Sequence, residues 1–134
     1  MTREQIKNHF ILRRDLKEAR EILKSLREAA TPGAQALTGM PHAPGVNDKT
    51  GNLAAEIVDM ESEIRKLKAK IAEQEPEIEE FIQGIRSGKI RTIFRLRLLN
   101  GFSWKEVSAI LGKWSTADSV SATYYAYLNK NKIR

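Results

Sequence analysis

SWKEVSAILGKWSTADSV, residues 103–120, holds two helix starts in one short stretch. Ser103 is followed three positions later by Glu106, a pairing in which hydroxyl and carboxylate each satisfy a free backbone N–H at a helix start. Trp104, Val107, Ile110 and Leu111 then share one side of a short helix, which Gly112 stops. Ser115 and Asp118 repeat the device, so a second helix is expected after a turn of Gly112, Lys113 and Trp114. Its inner stripe is Ala117, Val120, Tyr124, Tyr127 and Leu128, and the small Ser108 lets the two helices approach. Upstream, KIRTIFRLRLLNG (89–101) puts Ile90, Ile93, Phe94 and Leu98 on one stripe, with Arg91, Arg95 and Arg97 off it and Asn100-Gly101 closing the helix. A supporting helix, a short helix, a tight glycine turn and a longer helix make the geometry of a helix-turn-helix. The same packing residues also suit an ordinary corner of a helical bundle, so the rest of the chain has to decide.

Charge favours the first reading. The chain carries a net +6, and from Ile85 onward ten Lys/Arg face only Glu106 and Asp118, while residues 1–84 hold thirteen basic and fifteen acidic side chains. One end is a concentrated cation, as expected where part of a protein meets a polyanion. Lys105, Lys113, Lys130, Lys132 and Arg134 flank the corner, with Arg91, Arg95 and Arg97 nearby, and such side chains hold phosphates on either side of an inserted helix. The outward face of the last helix shows Asp118, Ser119, Ala122, Ala126 and Asn129, with Ser121 and Tyr125 at its edge. It offers no arginine for a bidentate guanine contact and no glutamine for adenine. Capping is the expected role of Asp118. The pattern therefore predicts affinity for double-stranded DNA more than a stringent choice of sequence.

The first half reads as two long helices. Leu12, Leu16, Ala19, Leu23, Leu26 and Ala30 step by four and three, with His9 and Gln5 extending the seam backwards; Leu53, Ile57, Met60, Ile64, Leu67 and Ile71 repeat the rhythm from about Asn52. The second seam runs on through Gln74, Ile78, Phe81 and Ile85, and Pro76 inside it predicts a kink or a break, with residues 76–85 as a separate or bent segment. Seams of equal length predict an antiparallel coiled-coil hairpin, although they could equally pair between chains as a homodimer. The expected fold is all-α: a helical hairpin over 1–75 with a long loop at 31–52, then a helix-turn-helix domain over 76–134.

Composition narrows the function classes. With no cysteine there is neither a disulfide framework nor a thiolate metal site. His42 and Asp48 lack a third ligand at useful spacing, so no metal and no cofactor are expected. GIRSGKI (84–90) mimics a phosphate loop, but its glycine spacing is short and Ile90 stands where a magnesium-binding hydroxyl is needed. No catalytic residues are expected. The longest uncharged run, 29–47, carries three prolines and three glycines and is no membrane span, and the charged start is unlike a signal peptide, so the expected location is cytoplasmic.

GMPHAPGVNDKTGNLAAEIVDMESEI (39–64), RLRLLNGFSWKEVSAILG (95–112) and TADSVSATYYAYL (116–128) together resemble small phage and prophage late-transcription regulators of Gram-positive bacteria, of the ArpU, RinA and LtrC kinds. The resemblance covers most of the chain, and its most specific part is the Met40-Pro41-His42 loop with Asp48, Lys49 and Gly51. It implies a helical N-terminal half and a C-terminal region similar to sigma factor region 4. By position, Leu96, Arg97, Gly101, Ser103, Trp104, Glu106 and Val107 resemble the supporting and first helices, and Thr116, Ala117, Asp118, Ser119 and Val120 the start of the recognition helix. Relatives often place an arginine directly after this last stretch, where this chain has Ser121. The function expected is a DNA-binding activator of a phage late operon in the bacterial host, with RNA polymerase as a further partner. The alternative is a coiled-coil structural protein, such as a packaging or scaffold component.

Overall fold

The computed structural model describes residues 1–31, 46–112 and 115–134, with side chains along the second helix from residue 52. The chain is all-helical, with five helices and no strand among the described residues: α1 (Arg3–Ala30), α2 (Val46–Gln83), α3 (Gly88–Leu98), α4 (Trp104–Leu111) and α5 (Ala117–Lys130). None of these helices is long and apolar enough to cross a membrane. The Met40-Pro41-His42 stretch, Lys113 and Trp114 lie outside the described residues, as do the side chains of Asp48 and Lys49.

Two boundaries differ from the sequence reading. α2 begins at Val46, ahead of the expected Asn52, and it continues through Pro76 to Gln83 without starting anew. A proline inside a helix costs about 3 kcal/mol. Ile71, Ile78 and Ile82 on either side of it are all buried, and each fully buried isoleucine contributes about 1.5–3 kcal/mol. Burial therefore outweighs the proline, whose ring lies on an exposed face.

The chain forms two compact units, and they do not divide at residue 75. One comprises Leu16–Lys68, where Leu16, Ala19 and Leu23 of α1 and Ile64 and Leu67 of α2 are buried as the two seams require. Arg27 and Glu61 make an ion pair of 3.3 Å there, exposed enough to contribute no more than about 1 kcal/mol.

The other unit comprises Met1–Asp15 and Ala69–Arg134. Its core takes Ile6 from α1, Ile78 and Ile82 from α2, Ile85, Ile93, Phe94 and Leu98 from α3 and its lead-in, Val107 from α4, and Val120, Tyr124 and Leu128 from α5. The start of α1 and the end of α2 belong to this core, which is why the boundary falls where it does. Ile82 is buried while Phe81, the seam residue expected, is only half-buried; a straight helix drifts against a seven-residue repeat, so the buried edge moves round by one position.

A polar layer interrupts the apolar one. His9 is fully buried, and its Nδ1 lies 3.0 Å from Gln74 Oε1. The two polar intrusions in the seams thus meet. Arg13 Nε–H donates to His9 Nε2 at 3.3 Å, and Arg13 also pairs with Glu75 at 3.5 Å. Because arginine only donates, His9 Nε2 accepts, Nδ1–H donates to Gln74, and the imidazole is neutral. Burial holds the His9 pKa below the ordinary histidine value of 6.5, with the charge of Arg13 acting in the same direction and Gln74 and Glu75 against it.

A folded-state pKa below the unfolded one means that the unfolded chain binds the extra proton more readily. The contribution of His9 is therefore complete above the unfolded value and is lost as pH falls below it. Urea unfolding of the full chain should show a midpoint that drops between pH 7.5 and 5.5, and His9→Gln should flatten that drop. An equal drop in His9→Gln and the unsubstituted chain would mean that other groups carry it.

Candidate nucleic-acid interface

Each helix of the C-terminal corner is closed by its own sequence. Ser87 caps α3, its side chain accepting from the Ile90 N–H at 3.3 Å. At the far end, the Leu99 N–H donates to the Arg95 carbonyl at 2.9 Å and Gly101 turns the chain with φ +68°. Gly101 is buried against α1: a Cβ there would lie 2.8 Å from the Arg13 carbonyl carbon and 2.9 Å from the Arg14 nitrogen. Only glycine meets both the backbone conformation and the close approach.

α4 opens on the expected capping box, with Ser103 N–H donating to Glu106 Oε1 at 3.1 Å and Glu106 N–H to Ser103 Oγ at 3.2 Å. Gly112 ends it with φ +97°. The expected start of α5 is corrected by one position. Thr116 and Ser119 form its capping box, with bonds of 2.9 and 3.0 Å, and neither Ser115 nor Asp118 caps it. Asp118 sits exposed in the first turn, where its charge complements the free N–H groups.

The inner stripe of α5 is buried at Val120, Tyr124 and Leu128. Tyr124 stacks on Phe94 at 4.4 Å between ring centroids and meets Trp104 edge-on at 4.9 Å. Burial raises the Tyr124 pKa well above the tyrosine range, so its hydroxyl stays protonated. Along the opposite side, Asp118, Ser119, Ala122, Tyr125, Ala126 and Asn129 are all exposed, and Ser121 and Ser115 are half-buried. Tyr125, 45% exposed, is the one large side chain of this face. Ile110, expected on the inner side of α4, is instead 54% exposed.

The candidate cations separate into two groups. Arg95, Lys105, Lys130, Lys132 and Arg134 are exposed, and among the described residues none of them forms an ion pair. Arg97 and Arg91 are turned inward. The Arg97 guanidinium carbon lies 3.6 Å from the Phe10 ring centroid and 4.1 Å from that of Trp104, and its Nη1 donates to the Phe102 carbonyl at 3.0 Å. Burial lowers its pKa from the ordinary arginine value, but a guanidinium remains charged at any physiological pH. Arg91 Nη1 donates to the Ile85 carbonyl at 3.0 Å. Both were expected on the DNA face; both bind the protein's own backbone, Arg97 because two aromatic rings compete for it better than water does.

Asn129 is likewise engaged, its Oδ1 accepting from Arg3 Nη2. Arg3 also donates through Nε to the Ile133 carbonyl at 2.6 Å, and its backbone N–H to the Arg134 carbonyl at 2.8 Å. The first turn of α1 thereby fixes the C-terminal tail that carries Lys132 and Arg134. Nothing in the local pattern around Arg3 or Phe10 announces these roles, although Phe10 is an aromatic residue off the heptad seam and so lacks a partner in a two-helix reading. Among the described residues no group of three His, Cys, Asp or Glu is placed to hold a metal ion. Residues 84–87 form the α2–α3 turn, with Ser87 as the cap of α3, and residues 88–90 open that helix.

Compared with protein-family models, with curated proteins and with solved structures, the chain finds no match.

Two substitutions test how the corner is held. Gly101→Ala should destabilise the chain by about 2 kcal/mol or more, since it combines backbone strain with overpacking against α1. Arg97→Lys should also lower the urea midpoint, nearly as far as Arg97→Ala, because a compact ammonium cannot face both rings and still reach the Phe102 carbonyl. A fully stable Arg97→Lys would show that charge alone suffices.

Proposed function

We propose that the chain is a DNA-binding transcription regulator without a catalytic step, of the phage late-operon activator kind, acting in the cytoplasm of a bacterial host. In this reading α3 supports a sigma region 4-like helix-turn-helix made of α4 and α5, and α5 is the helix that enters the major groove. The single observation that carries it is the outward side of α5. It is exposed and, Tyr125 apart, built of short side chains, on a helix whose other side is locked into the core; Arg95, Lys105, Lys130, Lys132 and Arg134, exposed and without an ion-pair partner among the described residues, lie in the same unit.

The chemistry expected is mostly phosphate contact. Ala122 and Ala126 permit close approach and meet thymine methyl groups, while Ser121 supplies short-range hydrogen bonding. Ser119 already completes the cap of α5, and Asn129 already accepts from Arg3, which leaves few groups to read bases. Duplex DNA is thus gripped more firmly than it is read, and sequence choice draws on DNA shape as well. The seams of α1 and α2 are assigned to an antiparallel hairpin, serving dimerisation or contact with RNA polymerase.

Fluorescence anisotropy with a labelled duplex tests the assignment. Ala122→Glu places a carboxylate on the proposed groove-facing side and should weaken binding at least about tenfold, a loss of about 1.4 kcal/mol, without altering thermal stability. Lys105→Gln combined with Lys132→Gln should weaken binding to all sequences alike. Unchanged affinity in both variants would remove α5 from the interface.

A further inference from the structure

A cavity of about 500 Å³ opens between the α2–α3 turn and the C-terminal half of α5, within the unit that holds the corner. Ile90, Ala126 and Tyr127 are the apolar part of its lining, and Arg86 and Lys130 the cationic part. The neutral polar groups around it are already engaged. Ser87 Oγ accepts from the Ile90 N–H at 3.3 Å, the Thr123 hydroxyl donates to the Ser119 carbonyl at 2.9 Å, and the Asn131 amide donates to the Tyr127 carbonyl at 2.9 Å. Arg86 and Lys130 differ: both are exposed, and among the described residues neither forms an ion pair.

Two unpaired cations beside an apolar hollow fit one kind of occupant. A phosphate would use the cations and leave the apolar lining wet, whereas a neutral apolar molecule would cover that lining and leave the cations unused. The volume lies within the range of small-molecule sites, which pair apolar walls with a few polar groups that fix orientation. We propose that this cavity binds a small amphiphilic organic anion, with an aromatic or short alkyl body against Ile90, Ala126 and Tyr127 and a carboxylate or sulfonate between Arg86 and Lys130. Binding there stands independently of any role in gene control.

A consequence does rest on the DNA reading above. Lys130 is shared between the anion and the proposed phosphate contacts, and Ala126 between the apolar lining and the groove-facing side of α5. Anion and duplex should therefore oppose each other's binding, by the same factor in each direction.

The site is tested on the full chain with 8-anilinonaphthalene-1-sulfonate, an aromatic sulfonate whose fluorescence rises on leaving water. The expected result is saturable binding of one molecule per chain, displaced by decanoate and much less by decanol. Ala126→Trp, which fills the hollow from an exposed helix position, should abolish it. Arg86→Gln with Lys130→Gln should weaken it about tenfold or more, since both charge-assisted contacts to the anion are lost. Lys66→Gln, distant in sequence from the cavity, should leave anion binding unchanged. As a readout independent of variant folding, decanoate added to the unsubstituted protein should shift amide resonances of Ile90, Ala126 and Tyr127. Unsaturable binding, equal affinity across the variants, or shifts confined to other residues would overturn the site. Saturable binding that leaves duplex affinity unchanged would overturn only the antagonism.

Discussion

The guanidinium of Arg97, lying 3.6 Å from the centroid of Phe10 and 4.1 Å from that of Trp104, ties three helices together through one side chain. Phe10 belongs to α1, Arg97 to α3 and Trp104 to α4, so the contact sets the start of α4 against the helix that opens the chain. Gly101 reinforces it from one turn away, because its missing side chain lets the α3–α4 link press on the backbone of α1. A cation between two aromatic faces contributes up to about 2 kcal/mol when shielded from water. With the corner fixed at that point, Val107, Val120, Tyr124 and Leu128 pack into the core, and the far side of α5 is left to solvent. The tie between Arg3 and the last residues closes the same unit from the other end.

Much of this was legible in the sequence. The stripes Ile93, Phe94, Leu98 and Val120, Tyr124, Leu128 are buried as their spacing requires, because one-sided apolar periodicity leaves a helix only one way to lie. The Ser103–Glu106 cap was legible for a similar reason: it is local, and four consecutive residues contain all its partners. The next cap was misplaced by one residue because Ser115, Thr116, Asp118 and Ser119 are all competent cap formers, and only the backbone path selects among them. Pro76 misled because the cost of a proline is a local quantity, whereas the isoleucines around it are held by partners distant in the chain.

The arginines of α3 were the least legible. Their positions off the apolar stripe suggested a common outward role, yet Arg91 and Arg97 reach backbone carbonyls while Arg95 remains exposed. Sequence spacing fixes where a helical side chain begins, but a long flexible stem can turn its charged end toward rings and carbonyls contributed by other helices. The pairing of His9 with Gln74 was hidden for a related reason. Each residue looked like a flaw in its own seam, and their complementarity exists only once the two helices meet.

In the proposed function the basic residues divide their labour: some build the corner, and others, exposed, meet the polyanion. The most direct measurement of that division is the dissociation constant of the full chain for a duplex of defined length across a range of salt concentrations. If Arg95, Lys105, Lys130, Lys132 and Arg134 neutralise phosphates, the log–log plot should fall with a slope of about −3 to −5, each contact contributing about −0.9. An affinity that stays flat as salt rises would contradict the account.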